Sequence, residues 1–286
     1  MSKECRVSQI IEPTMVLEGA GVRLKRSIAS RALDYLDPFL LFDHFGSHHP
    51  DDYLPGFPMH PHRGIETVTY MLAGSVDHKD SLGNEDTIHP GEVQWMTAGG
   101  GIMHEEMPNG DAQDHMEGFQ LWVNLPASRK MCAPRYQGFR AEEIPSVSID
   151  PGVRVRVIAG EYGGVSGPVR GIDADPTYLD AVIDKEQTFT AHVKTGYTTF
   201  VYFYSGGADH CGTPIAGTRL VVLENPEEVR IKAGVLGARL LLVSGKPLGE
   251  PIVRHGPIVM NTEEEIRQAF ADLRDGTFVK KPKTEN

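Results

Sequence analysis

The stretch His60–Gly74, HPHRGIETVTYMLAG, contains the two patterns that decide how this chain of 286 residues is interpreted. It begins with two histidines, His60 and His62, separated by one proline. It continues as an apolar run that lies between Gly64 and Gly74. Side chains two residues apart on a β-strand point to the same side. The first pattern therefore predicts two imidazoles directed into one cavity, and the second predicts a strand that ends in turns.

The apolar part of this stretch occurs twice in the chain. Residues 64–74, GIETVTYMLAG, align with residues 196–206, GYTTFVYFYSG, at an offset of 132 residues, and both turn glycines are among the four identities. This repeat predicts two similar β-domains in tandem, 1–135 and 136–286, with the join within residues 131–151. A single large β-sandwich is the alternative.

Short apolar runs continue through the rest of the chain, separated by many of its 31 glycines and 20 prolines. Many short strands with regular turn signals are typical of an all-β sandwich or barrel. One helix is predicted, at Ile266–Leu273, where Thr262 is the N-cap, Glu265 completes a capping box and Gly276 ends the helix. The predicted strands are Thr67–Leu72, Val93–Thr97, Phe119–Asn124, Val153–Ala159, Thr198–Tyr204, Arg219–Leu223 and Arg239–Ser244.

Composition narrows the classes of partner. The chain has 28 basic and 39 acidic residues, a formal charge of -11 that repels phosphate backbones, so we expect no direct nucleic-acid binding. The one basic run, Lys280, Lys281 and Lys283, is interpreted as a solvated tail. The N-terminus lacks the apolar core of a signal peptide, and no apolar run reaches the roughly 18 residues that cross a membrane. Three scattered cysteines suit a reducing compartment. We therefore expect a cytoplasmic protein with no membrane partner.

A second pair, His104 and Glu106, has the same spacing as His60 and His62. Two adjacent strands with these pairs would direct three imidazoles and one carboxylate into one cavity, which is a donor set of the non-haem iron kind. The glycines at 99–101 allow the backbone to bend before His104 returns to the cavity. The residues leave the metal open, because Mn, Co, Ni, Cu and Zn also accept these donors.

Other polar residues of the first domain have weaker patterns. Counting by twos from His60 and His62 places Glu66 on the same side, as a ligand or as a residue that supports one. Gln120 and Trp122 share one side of a predicted strand and are candidates for lining the pocket. The remaining histidines here are interpreted as surface residues or as partners of the ligands: His44, His48, His49, His78, His89 and His115.

The second copy is expected to have lost this site. The offset of 132 residues places Lys194 where the first copy has His62. A match three residues further along places Arg239 where the first copy has His104. Charged lysine and arginine side chains have no lone pair for a cation. We therefore expect a degenerate C-terminal domain.

These motifs resemble those of the pirin family. The resemblance is carried by HPHRG-x-ETV-x-Y at 60–70, QWMTAG at 94–99, GI-x-H-x-EMP at 101–108, QLWVNL at 120–125, GPIVMN at 256–261 and DGTF at 275–278. It implies a bicupin, in which two β-barrels (double-stranded β-helices) lie face to face and one iron ion is held in the N-terminal barrel. By motif match the iron ligands would be His60, His62, His104 and Glu106, and Glu66 would not be a ligand.

The resemblance also implies two kinds of function. Some bacterial members are similar to quercetin 2,3-dioxygenases, which cleave flavonols with O₂ and release carbon monoxide. In that chemistry Glu106 would leave the metal and take the proton of the 3-hydroxyl group as a general base. Other members are iron- and redox-dependent regulators. The alternative is therefore a regulatory protein whose metal controls its affinity for a protein partner, such as a transcription factor or a metabolic enzyme.

Overall fold

The computed structural model describes residues 6–279, so Cys5 and the basic run Lys280, Lys281 and Lys283 lie outside the described residues. No helix within residues 6–279 is long and apolar enough to span a membrane. Twelve strands precede residue 140: β1 (Arg6–Ile11), β2 (Thr14–Glu18), β3 (Val22–Ile28), β4 (Phe39–Ser47), β5 (Phe57–His62), β6 (Ile65–Ala73), β7 (Ser75–Asp80), β8 (Glu85–Ile88), β9 (Val93–Thr97), β10 (Ile102–Asn109), β11 (Met116–Asn124) and β12 (Arg135–Phe139). Twelve strands and a helix follow: β13 (Ser146–Val147), β14 (Val153–Ala159), β15 (Glu161–Tyr162), β16 (Val165–Ser166), β17 (Thr177–Ile183), β18 (Thr188–His192), β19 (Thr198–His210), β20 (Thr213–Ala216), β21 (Arg219–Glu224), β22 (Glu228–Gly245), β23 (Val253–His255), β24 (Ile258–Met260) and α1 (Glu263–Arg274). Short 3-10 turns lie at Pro50–Asp52, Ala127–Arg129 and Ala141–Glu143.

The chain forms two compact units, and each unit takes segments from both halves of the sequence. The unit that contains the first copy of the repeat, here called the first-copy unit, comprises Met15–Ala29, Phe39–Ala141 and Leu248–Asn286. The second-copy unit comprises Met1–Thr14, Ser30–Pro38 and Glu142–Pro247. This division differs from the predicted domains 1–135 and 136–286. Strand β1 belongs to the second-copy unit because it pairs with β21, and helix α1 belongs to the first-copy unit.

The main sheets of the two units have equivalent strand orders. The first-copy unit has the order β12-β9-β6-β11-β4-β3-β2, and the second-copy unit has β1-β21-β19-β22-β17-β14-β13. The two repeated segments, in β6 and β19, occupy the same place in this order. The first-copy unit adds a four-stranded sheet, β5-β10-β7-β8, and the second-copy unit makes the corresponding pairs through β18 on β22 and β20 on β19. The all-β bicupin fold is therefore confirmed.

The local predictions agree with these elements. Each of the seven predicted strands lies within an observed strand, and β9 and β14 have the predicted bounds. Thr262 is the N-cap of α1: its side chain accepts a hydrogen bond from the Glu265 backbone, and the Glu265 side chain accepts one from the Thr262 backbone. The capping box thus satisfies N–H groups that the first helical turn leaves unpaired.

Arg63, the residue after β5, anchors the C-terminal helix in the first-copy unit. The Arg63 side chain is buried, and its Nη1 lies 2.8 Å from Oδ2 of Asp272 in α1. Its Nη2 donates to the carbonyl oxygen of Phe278 at 3.0 Å, and the guanidinium lies 4.2 Å from the centroid of the Phe278 ring. These contacts hold the C-terminal segment against the strand that carries His60 and His62.

Lys130 joins the same segments from the other side. Its buried ammonium donates to the carbonyl oxygens of Gly64 (2.9 Å) and Val259 (3.0 Å) and to the amide oxygen of Asn124 (2.7 Å). Burial lowers the pKa of Lys130 to about 8. Gly64 is required here, because its φ is +79° and a Cβ would lie 1.9 Å from the Val259 carbonyl oxygen. The segment after residue 248 therefore packs directly on the turn between β5 and β6.

We predict that Asp272→Ala lowers the free energy of unfolding by roughly 3–5 kcal/mol, because it leaves the buried Arg63 guanidinium without its counter-charge. Glu264→Ala is the matched control on the same helix, since Glu264 forms an exposed ion pair with Arg267 and its loss should cost less than about 1 kcal/mol. Denaturant unfolding measures both variants. Equal destabilisation by the two substitutions would contradict the anchoring role of Arg63.

Candidate metal centre

The strands that carry the predicted ligands pair with each other. β5 and β10 are antiparallel, with His60 opposite His104 and His62 opposite Ile102. Nε2 of His60 lies 3.0 Å from Nε2 of His62 and 2.9 Å from Nε2 of His104. One nitrogen from each of the three histidines lies within 4.8 Å of the others. The structure therefore brings the three predicted histidines together at one point.

The other ring nitrogens explain why this point suits a cation. Nδ1 of His60 lies 2.9 Å from the Pro58 carbonyl oxygen, which can only accept, so Nδ1 carries the proton and Nε2 presents a lone pair. Nδ1 of His104 lies 2.9 Å from Nε2 of His78. Burial lowers the pKa of His60, and it lowers the pKa of His62 and of His104 well below the usual value. Since protons do not supply positive charge here at neutral pH, the converging imidazoles fit a transition-metal ion.

Glu106 lies in the same cavity but outside this group of mutually close donors, as far as residues 6–279 show. The Thr69 hydroxyl donates to Glu106 Oε1 at 2.9 Å and lies 2.7 Å from the side-chain amide oxygen of Gln120. Burial raises the pKa of Glu106 to about 7, although the contacts with Thr69 and Gln120 lower it. Glu106 can therefore hold or release a proton near neutral pH. Its role as fourth ligand stays a prediction.

The three histidine nitrogens and Glu106 lie beside a cavity of about 530 Å³ in the first-copy unit. This volume is within the range of small-molecule sites, roughly 300–1,000 Å³. Gln120 and Trp122 line the cavity, as their strand pattern predicted. Most of the remaining wall is apolar and includes Leu24, Leu41, Phe45, Phe57, Val76 and Met116. The cavity can accept a small, largely apolar organic molecule with polar groups at the histidine end.

Charged residues line another part of the cavity, and the sequence patterns did not indicate them. Arg26 forms a two-point ion pair with Asp43, at 2.8 and 2.7 Å, and also contacts Glu18. Burial raises the pKa of Asp43 to about 6, against the opposing effect of Arg26. The Arg254 guanidinium lies 5.0 Å from the centroid of a Trp122 ring. These residues come from four strands far apart in the chain, β2, β3, β4 and β23, so no local spacing links them.

The prediction that Glu66 shares a side with the histidine pair was wrong. Glu66 accepts hydrogen bonds from Trp95 Nε1 at 3.1 Å and from Thr97 Oγ1 at 2.7 Å. Thr69, three residues further along β6, lines the cavity instead, so Glu66 points to the opposite face of the sheet. Counting by twos fails because β5 and β6 belong to different sheets, and the turn at Gly64 between them changes the direction of the chain.

The remaining histidines of the first copy separate into buried and surface groups. His78 is buried and contacts a predicted ligand, as described above. His44 is buried on β4, and its Nε2 lies 3.1 Å from Glu117 Oε1. His48, His49 and His89 are exposed, and His115 is half-buried with its ring stacked on His48.

In the second-copy unit, apolar side chains occupy the places of the predicted ligands. His104 lies between β5 and β7, and the equivalent residue of β22, Ile231, lies between β18 and β19. By this register His60, His62, His104 and Glu106 correspond to Phe189, Ala191, Ile231 and Ala233, and all four replacements belong to one buried hydrophobic cluster. Within residues 6–279 the three histidines of the first copy are the one group of mutually close metal donors found.

The sequence comparison had assigned these places to other residues. The connection from β18 to β19 is longer than that from β5 to β6, so the offset between the copies is 129 residues at His60 (189 minus 60) and not 132. Lys194 consequently lies beyond β18, where it pairs with Asp175. Arg239 lies in the part of β22 that pairs with β17, and not at the place of His104.

Comparison with known proteins agrees with this architecture. Residues 21–123 match the family model for pirin, and residues 178–279 match the model for the pirin C-terminal cupin domain. Pirin of Homo sapiens is 44% identical over 265 residues, which are 90% of this chain and 88% of the relative. A pirin-like protein of Caulobacter vibrioides is 44% identical over 273 residues, which are 95% of this chain and 98% of the relative. A crystal structure described as quercetin 2,3-dioxygenase from Acinetobacter baumannii is 35% identical with a TM-score of 0.87, and the match covers 96% of this chain and 98% of that chain. With matches across both copies of the fold, this chain belongs to the pirin family.

Proposed function

We propose that the first-copy unit binds one transition-metal ion, Fe(II), and cleaves a flavonol-like or other enolic substrate with O₂, as a quercetin 2,3-dioxygenase does. His60, His62 and His104 would hold the metal, with Glu106 as a fourth ligand that also takes a proton from the substrate. The observation that carries this proposal is the convergence of three imidazole nitrogens and one buried carboxyl group at a small-molecule cavity. When bound, a redox-active metal supplies the centre at which the enol and O₂ can react.

The name of a relative supports the reaction class. The Acinetobacter baumannii protein described as quercetin 2,3-dioxygenase matches 96% of this chain at 35% identity. The cavity supports the substrate class, because a flavonol presents flat apolar rings together with a hydroxyl and a carbonyl oxygen. The apolar wall would bind the rings and exclude water, and the histidine end would receive the two oxygen atoms.

Glu106 would act on the hydroxyl proton. A general base is most effective when its pKa lies near the working pH, and burial brings the pKa of Glu106 to about 7. The Thr69 hydroxyl holds Oε1, which orients the carboxylate within the cavity. Ring opening with release of carbon monoxide would follow once this proton has been taken.

We predict that His62→Ala loses most of the bound iron, because one of three converging nitrogens is removed. His192→Ala is the control, since His192 is an exposed histidine at the end of β18 in the second-copy unit. Metal analysis after anaerobic purification should find one ion per chain in the wild type and in His192→Ala. Full iron content in His62→Ala would contradict the ligand assignment.

We predict that Glu106→Gln lowers kcat for flavonol-dependent O₂ uptake by roughly 10²–10⁴-fold, because glutamine keeps the shape of the side chain and cannot take a proton. Glu105→Gln is the matched control, since its side chain points to the other side of β10. Oxygen uptake and metal content are measured together. Normal turnover by Glu106→Gln would show that the base assignment is wrong, and complete loss of metal would leave Glu106 with a ligand role alone.

The regulatory alternative predicts a different outcome for the wild-type protein. A fully metal-loaded protein that consumes no O₂ with any flavonol, and that binds a protein partner more tightly in one oxidation state of the metal, would favour regulation over catalysis.

A further inference from the structure

We propose that His78 is a positioning residue for the metal centre: its Nε2 accepts the Nδ1 proton of His104 and so directs the lone pair of His104 Nε2 toward the metal. This inference rests on the proposed metal site. The two nitrogens are 2.9 Å apart, and His78 is 3% exposed. The sequence placed His78 only among residues that are either exposed or partners of the ligands.

The strand order explains how His78 reaches a ligand. β10 lies between β5 and β7, so His104 has the other two ligand histidines on its β5 side and His78 on its β7 side. His104 therefore directs Nε2 toward His60 and Nδ1 toward His78. The His78 ring also packs edge-on against the Tyr136 ring, with centroids 5.3 Å apart. This packing fixes the acceptor on the outer side of the ligand.

A hydrogen bond at this position has a specific chemical consequence. His60 carries its proton on Nδ1, so its Nε2 can accept a hydrogen bond. Without an acceptor at Nδ1, His104 can move its own proton to Nε2 and donate it to His60, 2.9 Å away. That tautomer has no lone pair for a metal. By accepting from Nδ1, His78 favours the tautomer that binds one, which is the usual role of a hydrogen-bond partner behind a ligand histidine.

The second copy of the fold provides an independent observation. Glu106 pairs with His78 across β10 and β7, and the equivalent pair in the second copy is Ala233 with Ala208. The second copy therefore lacks His78 together with all four predicted ligands. A histidine needed only for packing of the barrel has no reason to be absent from the copy in which the ligands are also absent.

Two substitutions separate hydrogen bonding from packing. His78→Phe keeps a ring of similar size and removes the acceptor, and His78→Gln provides an amide oxygen that can accept the same proton. With Mn²⁺ as a redox-stable probe and a competing chelator, we expect His78→Phe to weaken binding roughly 10–100-fold and His78→Gln to restore most of the affinity. His89→Ala, an exposed histidine beyond β8, is the control and should bind Mn²⁺ as the wild type does.

A second readout reports the tautomer directly and does not depend on activity. In the Zn²⁺-loaded protein, nitrogen-15 NMR should show a protected His104 Nδ1 proton in the wild type and in His78→Gln, and rapid exchange of that proton in His78→Phe. Should the phenylalanine variant fail to fold, His78→Leu removes the acceptor in its place.

Three outcomes would overturn the inference. Wild-type Mn²⁺ affinity and an unchanged Nδ1 signal in His78→Phe would show that the acceptor has no effect. Equal losses of affinity in the Phe and Gln variants would assign His78 a packing role. A wild-type protein that binds neither Mn²⁺ nor Zn²⁺ would refute the proposed metal site, and the inference with it, whereas the first two outcomes would refute the inference alone.

Discussion

The antiparallel pairing of β5 with β10 is the constraint on which the rest of the site depends. It places His60 opposite His104, so two short sequence motifs that are more than forty residues apart supply nitrogens within hydrogen-bond distance of one another. A shift of one residue in this register would turn every side chain of one strand to the other face. The partners outside the three histidines then decide which nitrogen of each ring carries the proton, and so make the pairing chemically useful.

This pairing is stabilised by a part of the chain that is remote in sequence. Arg63 and Lys130 are buried cations beside the turn after β5, and both contact the segment that follows residue 248. The same segment supplies Arg254 to the wall of the cavity. The C-terminal helix thus belongs structurally to the unit that carries the histidines. The charge and size of the cavity depend on segments from both ends of the sequence.

Sequence patterns predicted those features that depend on neighbouring residues. The spacing within each pair identified the three histidines, alternation identified the strands, and the capping box at Thr262 identified the helix. Features that depend on how strands are arranged were not predictable in this way. Glu66 was assigned to the wrong face because the turn at Gly64 sends the next strand into another sheet. His78 and the pair of Arg26 with Asp43 meet the site only through the strand order.

The comparison of the two copies shows the same limit and also what it teaches. A constant offset placed charged residues at the lost ligand positions, whereas the strand register places Phe189 and Ile231 there, in a packed core. One scaffold therefore accommodates either a hydrophobic core or a set of metal donors at the same positions. The barrel fold alone does not determine which of these two a copy contains.

X-ray absorption spectroscopy of the iron-loaded wild-type protein tests the central claim most directly, because it reports the atoms bound to the metal without requiring a substrate. Our account predicts scattering from three imidazole rings, with the remaining donors being oxygen atoms. A spectrum with no imidazole scattering, or with the iron bound by oxygen atoms alone, would contradict it.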